Sequence, residues 1–433
     1  MTALRCTRAG ALLVVVLLFF TTAAPARAQG RTISCIASGQ NLYVRDVLSD
    51  IYLWNTELPN VDPTRYASPE EYLEAVRYRP LDTHFSFITS RAANDAFYGE
   101  SQYVGLGVSW TVIGQDLRVL QVFPESPASE AGLMRGDRVT AIGGRPVADL
   151  IATNQLDAAI GAAEIGVSLQ IQFSSKTGAV TTAQVAKRVV TIPTVSQAQA
   201  YLAGGRRVGY IFFRNFVTPS NAALDAAFAT LNGARIDDLV LDLRYNGGGL
   251  VSVARHLASL IGGAKTSGQV FVEYKHNDKN VRLNQTTRFE DTSAAATLNR
   301  LIVITTPASA SASELVINAL RPFMPVIVVG SRTYGKPVGQ YQYDFCDKTL
   351  APVSFSVRNS RGEGDYFDGF APDCAAADDV EHQLGDVEES SLREALTFAT
   401  TNACSAAAAQ PQRVDRAARD RRAVGWKSIV NAD

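Results

Sequence analysis

The chain predicts a mixed α/β protein with a small helical region at its N-terminal end, and three observations carry that prediction. Leu239–Leu243, Leu301–Thr305 and Val326–Val329 are short, largely apolar runs of the kind that fill buried parallel strands, and helically spaced apolar residues lie between them. Between about 102 and 192 the pattern changes to short alternating strands broken by glycine turns. Ahead of both, Val44, Val47, Leu48, Ile51 and Trp54 fall on one helical stripe. With 433 residues there is material for about three ordinary domains.

Residues 1–28 read as a secretory signal peptide. Arg5 and Arg8 precede the apolar run from Ala11 to Phe20, and Ala26-Arg27-Ala28 is a small-x-small site, with cleavage expected after Ala28. The run is short for a membrane span, so an uncleaved anchor is the lesser alternative and an exported, periplasmic or cell-envelope protein is expected. Removing this segment takes away three arginines (Arg5, Arg8, Arg27) and no acid, moving the formal charge from −1 to −4. A mildly acidic chain has no general nucleic-acid footprint.

Four cysteines remain, Cys35, Cys346, Cys374 and Cys404. An even number in an exported chain fits two disulfides with three possible pairings. The expected pairing is Cys346 with Cys374 and Cys35 with Cys404, the second tying the two ends of the folded body together. No C-x-x-C spacing occurs, so no metal site is expected.

Residues 29–100 form the expected helical N-terminal region. Ser68-Pro69-Glu70-Glu71 supplies an N-cap, a proline at the first helical position and a glutamate three after the cap. His84, flanked by aromatic residues on a loop, is expected to be packed and structural. Residues 101–193 contain Gly105-Leu106-Gly107-Val108 and the longer string Ser126-Pro127-Ala128-Ser129-Glu130-Ala131-Gly132-Leu133-Met134-Arg135-Gly136-Asp137. This segment resembles a PDZ domain. The resemblance implies that Gly105, Leu106, Gly107 and Val108 form a loop whose N–H groups receive a terminal carboxylate, with Leu106, Val108 and a residue near Ile160 lining an apolar pocket.

Residues 194–404 make the main α/β region. Leu239–Leu243 ends at Arg244-Tyr245-Asn246-Gly247-Gly248-Gly249, where glycines permit close backbone approach to a ligand. There is no G-K-[ST] and no G-x-G-x-x-G, so nucleotide binding is not supported. Asp242 and Arg244 read as a structural ion pair. Beyond Cys404, residues 405–433 carry an alanine run and an arginine-rich stretch. That tail reads as a solvated end, with a partner-binding or membrane-surface helix as the alternative.

The chemistry centres on Ala308-Ser309-Ala310-Ser311-Ala312-Ser313-Glu314-Leu315, where a buried strand hands over to a helix. A nucleophilic oxygen at a helix start has the helix dipole and unpaired N–H groups beside it. The plainer reading is that Ser311-x-x-Glu314 is a capping box. The four histidines occupy no G-x-S-x-G or comparable setting, so a serine here needs another base.

Taken with the PDZ string, the D-L-R-x-N-x-G-G of Asp242–Gly249 and a later G-K-x-x-x-Q, this stretch resembles the carboxyl-terminal processing peptidases, or tail-specific proteases. The resemblance covers most of the chain beyond residue 28. It implies a crotonase-like ββα catalytic core with an inserted PDZ domain, Ser311 as nucleophile, Lys336 as general base 25 positions later, and Gln340 holding the amine. The oxyanion would be met by the N–H groups of Ala312 and Gly248. A lysine base requires a pKa brought from about 10.4 to somewhere near 7 to 8, which burial in an apolar wall achieves.

The implied activity is a serine endopeptidase acting on protein or peptide substrates held by their C-terminal tails, without metal or other cofactor. The family commonly has a glycine where this chain has Pro337, which removes a backbone donor beside the base. A non-catalytic PDZ scaffold on a degenerate peptidase core is the alternative, and an esterase or amidase using the same two residues is a weaker one. Nothing in the sequence sets an oligomeric state.

Overall fold

A computed structural model describes residues 33–406. The signal-peptide segment and nearly all of the basic tail lie outside the described residues. The centre is a six-stranded sheet in the order Val195–Ala203, Arg206–Phe213, Asp238–Asp242, Leu301–Thr305, Val326–Gly330, Cys374–Ala375. The first pair is antiparallel and every later neighbour is parallel. Asp238–Asp242 and Leu301–Thr305 are buried at every position, which is why Leu239, Val240 and Leu241 in the first and the four residues from Leu301 in the second read as unbroken apolar stretches. Helices Ser220–Gly233, Val251–Gly262 and Ala312–Leu320 pack on one face through Leu224, Phe228, Leu257 and Val316, and helix Ser390–Thr401 covers the other.

A second, four-stranded antiparallel sheet runs Gln285–Arg288, Val270–His276, Val353–Arg358, Val338–Gln340. The N-terminal helices Ala37–Ile51 and Pro69–Val76 share an apolar cluster with Val338, Phe345 and Leu350. Ser68 caps the second of them, accepting from Glu71 N at 3.2 Å.

The PDZ segment is a strand meander from Val108 to Ala186 with its own core of Leu117, Val119, Ile142 and Ile171. Its entry and exit strands, Gln102–Gly105 and Arg188–Thr191, pair antiparallel, so the segment is an insertion carried on a two-stranded stalk. Among the described residues no helix is long and apolar enough to cross a membrane.

The expected disulfide pairing is corrected. Cys35 joins Cys346, and Cys374 joins Cys404. Cys346 sits at the tip of the hairpin Tyr343–Ala351, against the first helix where Tyr43 meets Phe345 with ring centroids 5.2 Å apart. Cys374 instead lies on the edge strand paired with Val329, on the face that the last helix covers. Sheet order separates Cys346 from Cys374, although they are the nearest pair in sequence.

Candidate active site

Strand Leu301–Thr305 delivers the chain to a tight loop that ends on Ser311, the N-cap of helix Ala312–Leu320. Ser311 has φ 56°, a conformation unfavourable for a residue with a side chain, so the surroundings must hold it. The outer serines do part of that work. Ser309 Oγ donates to Leu243 O at 2.8 Å and Ser313 Oγ donates to Asn246 O at 2.9 Å, while Ala310 N donates to the same Asn246 carbonyl at 3.1 Å. The two outer serines of this alternating trio thus dock the strand-helix turn onto the end of the neighbouring strand and leave the middle one lining the cavity.

Glu314 does the rest. Its Oε2 accepts from Ser311 N at 2.9 Å and from Lys336 N at 2.8 Å, and its Oε1 accepts from Gly335 N and the Thr333 hydroxyl, each at 2.6 Å. One fully buried carboxylate therefore pins the backbones of residues 311 and 336 to a single oxygen. Burial pushes its pKa up, against the opposing pull of these four donors. The S-x-x-E spacing does make a helix cap, and the same glutamate fixes the distance between two chain segments.

Ser311 and Lys336 line one cavity, together with Gln340, Phe85, Tyr98, Arg214 and the glycines 247–249. Lys336 is half-buried; its Nζ donates to Gln340 Oε1 at 2.6 Å and lies 5.7 Å from the centroid of the Phe85 ring. Gln340 is itself oriented, because its amide nitrogen donates to the carbonyls of Phe85 and Ala351. Pro337 precedes strand Val338–Gln340, where a missing N–H breaks no ladder bond, and its carbonyl accepts from Val357 N at 3.1 Å.

The glycine run crosses directly under Ser311. A Cβ on Gly248, whose φ is +100°, would lie 2.8 Å from Ser311 Cβ, Ala310 O and Ala312 N, so only glycine fits. Among the described residues the Ala312 N–H has no acceptor, as an oxyanion donor requires. The Gly248 N–H differs from expectation: it donates to Asn246 Oδ1 at 2.9 Å, while Asn246 Nδ2 holds Phe213 O at 2.9 Å. The donor expected for an oxyanion is engaged inside the loop in this conformation.

Asp242 and Arg244 anchor the base of that loop. Arg244 is fully buried and bridges Asp242 and Glu389, each at 2.8 Å. The next residue, Tyr245, links to the PDZ segment. Its hydroxyl accepts from Arg135 Nη1 at 2.8 Å, and Arg135 also donates to the carbonyls of Leu120, Asp379 and His382 and pairs with Asp378. Sequence reading assigned no role to Arg135, Arg214 or Phe85. His84, expected to be packed, is exposed at the cavity lining, while Phe85 and Phe87, which follow it, are buried.

In the PDZ segment, a Cβ on Gly107 (φ +80°) would lie 2.0 Å from Ser126 Cβ, which explains the glycine. The loop is fixed by its carbonyls, Leu106 O accepting from Ala128 N and Gly107 O from Phe123 N, both at 2.8 Å. Leu106 and Val108 are buried in the segment's core, with Ile160 packed against it, and Gly105 lies over the Tyr103 ring.

Comparison with known proteins agrees with this arrangement. Residues 207–376 match the model for peptidase family S41, residues 39–87 the peptidase S41 N-terminal domain, and residues 104–186 a PDZ domain. A chloroplastic C-terminal processing peptidase of Tetradesmus obliquus is 27% identical over 250 residues, 56% of this chain and 52% of that protein. A carboxyl-terminal-processing protease of Synechocystis sp. is 28% identical over 249 residues, 58% of this chain and 56% of that protein. The matches therefore span little more than half the length of these relatives.

Among solved structures, a putative S41 protease of Bacteroides fragilis superposes with TM-score 0.70 at 26% identity, covering 83% of this chain and 97% of that one. The photosystem II D1 C-terminal processing protease shares the fold at TM-score 0.51 and 22% identity, covering 84% and 98%. The chain belongs to peptidase family S41, with a PDZ domain inserted between its N-terminal helical domain and its mixed α/β peptidase domain.

Proposed function

We propose that this protein is an exported serine endopeptidase that seizes the C-terminal tails of protein substrates with its PDZ domain and cleaves them with a Ser311/Lys336 dyad. The observation that carries the reading is Glu314 Oε2, which bonds the backbones of both residues while their side chains line one cavity. In the reaction, neutral Lys336 Nζ takes the proton of Ser311 Oγ as that oxygen attacks the carbonyl carbon of the substrate. The Ala312 N–H and an N–H of the glycine run receive the oxyanion. Lys336 returns the proton to the departing amine, and water attacks the acyl-serine by the same route in reverse. Gln340 keeps the amine aimed during both transfers. The two disulfides accord with export into an oxidising compartment.

The test compares a peptide ending in free apolar residues with its C-terminally amidated twin. The free-tail peptide is expected to have kcat/KM at least ~10-fold higher, since amidation removes the charge that the Gly105–Val108 loop would hold. Equal rates would remove the capture step, and binding without cleavage of either would favour the scaffold reading. One observation favours that second reading: the Gly248 N–H is turned onto Asn246.

On the peptidase reading the engaged donor marks a resting loop that peptide binding rearranges, and Arg135 is the lever, since it spans from the PDZ domain to Tyr245 beside Asn246. Arg135→Met is accordingly expected to lower kcat about 10-fold or more while changing KM less, a split read by steady-state kinetics alongside thermal melting. A rise in KM alone would give Arg135 a role in binding only.

A further inference from the structure

We propose that Arg214 is an anion receptor in the catalytic cleft and selects substrates carrying a carboxylate beside the scissile bond, an inference that rests on the peptidase reading above. Arg214 follows strand Arg206–Phe213, is 3% exposed, and lines the same cavity as Ser311 and Lys336. The other deeply buried arginines are neutralised: Arg77 by Asp82, Arg135 by Asp378, Arg244 by Asp242 and Glu389, Arg300 by Asp238.

Among the described residues Arg214 has no such partner. Its Nη1 donates to the carbonyl of Tyr245 and reaches Asn215 Oδ1 at 3.4 Å, and its buried Nε meets no acceptor. Tyrosines 103 and 245, both kept neutral by burial, are the titratable groups near it, with no carboxylate among them. Burial lowers its pKa to about 10, which still leaves it a cation at neutral pH.

A charge taken out of water without a counter-ion is unfavourable, so such a residue either serves a structural end or awaits an anion. The lining favours the second. It includes His84, Arg214 and Lys336 but no aspartate or glutamate, and Phe85, Phe97 and Tyr98 wall it with aromatic surface. A carboxylate entering there meets a guanidinium in a poorly hydrated setting, where charge-assisted hydrogen bonds are strong. The site is close to the chemistry because the same guanidinium grips Tyr245, one residue before Asn246 of the glycine loop. Two sources supply that group: an Asp or Glu side chain next to the cleaved bond, or the free α-carboxylate of a chain cut one or two residues from its end.

Two peptide pairs separate these sources. The first pair keeps one long free apolar tail and differs only by Glu against Gln beside the mapped cut; the second ends just past the cut as acid or amide. Wild type is expected to favour the carboxylate member of at least one pair by about tenfold or more in kcat/KM. Arg214→Gln should bring that ratio to near one, and Arg214→Lys should leave an intermediate value. Ratios near one in wild type for both pairs overturn the inference. So does a ratio that persists in Arg214→Gln, which is what a purely structural arginine would give.

The same pairs titrated calorimetrically into Ser311→Ala and into Ser311→Ala/Arg214→Gln separate this inference from the one beneath it. Selective binding that depends on Arg214, in a protein whose wild type cleaves nothing, would keep the receptor and remove the peptidase. Cleavage without selectivity would do the reverse.

Discussion

Ser311→Ala and Lys336→Ala are each expected to lower kcat on a free-tail peptide by at least ~10⁴-fold, and the double variant to be no worse than either single one. The non-additivity follows from the roles. Without the hydroxyl there is nothing for the amine to deprotonate, and without the amine the hydroxyl keeps its proton. Lys336→Arg should be equally inactive, because a guanidinium does not give up its proton in a protein and cannot act as a base. Neither alanine change should unfold the chain, since the bonds from residues 311 and 336 to Glu314 come from backbone N–H groups that alanine retains. Loss of activity with a near-wild-type melting temperature is thus the expected pair of readings. A single variant keeping more than about a hundredth of the wild-type rate would remove that residue from the chemistry.

The parts of this arrangement that were legible in the sequence are those set by local pattern. Apolar runs gave the buried strands, and the resemblance to the carboxyl-terminal processing peptidases, with its 25-position interval, singled out Ser311 and Lys336, which line one cavity. Illegible were features set by which distant segments meet. Cys346 and Cys374 look like natural partners until the strand order places one under the N-terminal helix and the other under the C-terminal one. The glycine run was read as permitting close approach, and a Cβ on Gly248 would collide with Ser311, yet the direction of the Gly248 N–H depends on Asn246, whose own amide is fixed by a carbonyl 33 positions back. Arg135 sits inside a PDZ string that explains it locally, and its partners at 245 and 378 are more than a hundred residues away. Glu314 was hidden in another manner. Its spacing from Ser311 satisfies a helix cap and accounts for the bond from Ser311 N, so nothing in the sequence signalled the other three, from Gly335 N, Lys336 N and the Thr333 hydroxyl.

Glu314→Ala is expected to destabilise the protein by about 4 kcal/mol or more, because it strands four donors at about 1–3 kcal/mol each. These are the N–H groups of Ser311, Gly335 and Lys336 and the Thr333 hydroxyl, whose oxygen is already occupied in accepting from Phe370 N at 2.7 Å. A melting temperature lower by roughly 8 °C or more is the corresponding reading. Glu314→Gln keeps the volume and one acceptor, but its NH₂ must face two donors whichever way the amide turns. It should fold, melt lower by a smaller margin, and lose about 10- to 100-fold in kcat as residues 311 and 336 drift apart. The pH dependence has a definite sign. Burial raises the carboxyl's pKa in the folded state, so the folded chain holds this proton more tightly than the unfolded chain does. The stability advantage of wild type over Glu314→Gln should therefore shrink as pH rises from the ordinary carboxyl range through the raised value, then level off. Full activity and unchanged melting in Glu314→Ala would show that the strained turn at Ser311 is held by Ser309 and Ser313 alone, and that the position of the lysine relative to the serine does not depend on the glutamate between them.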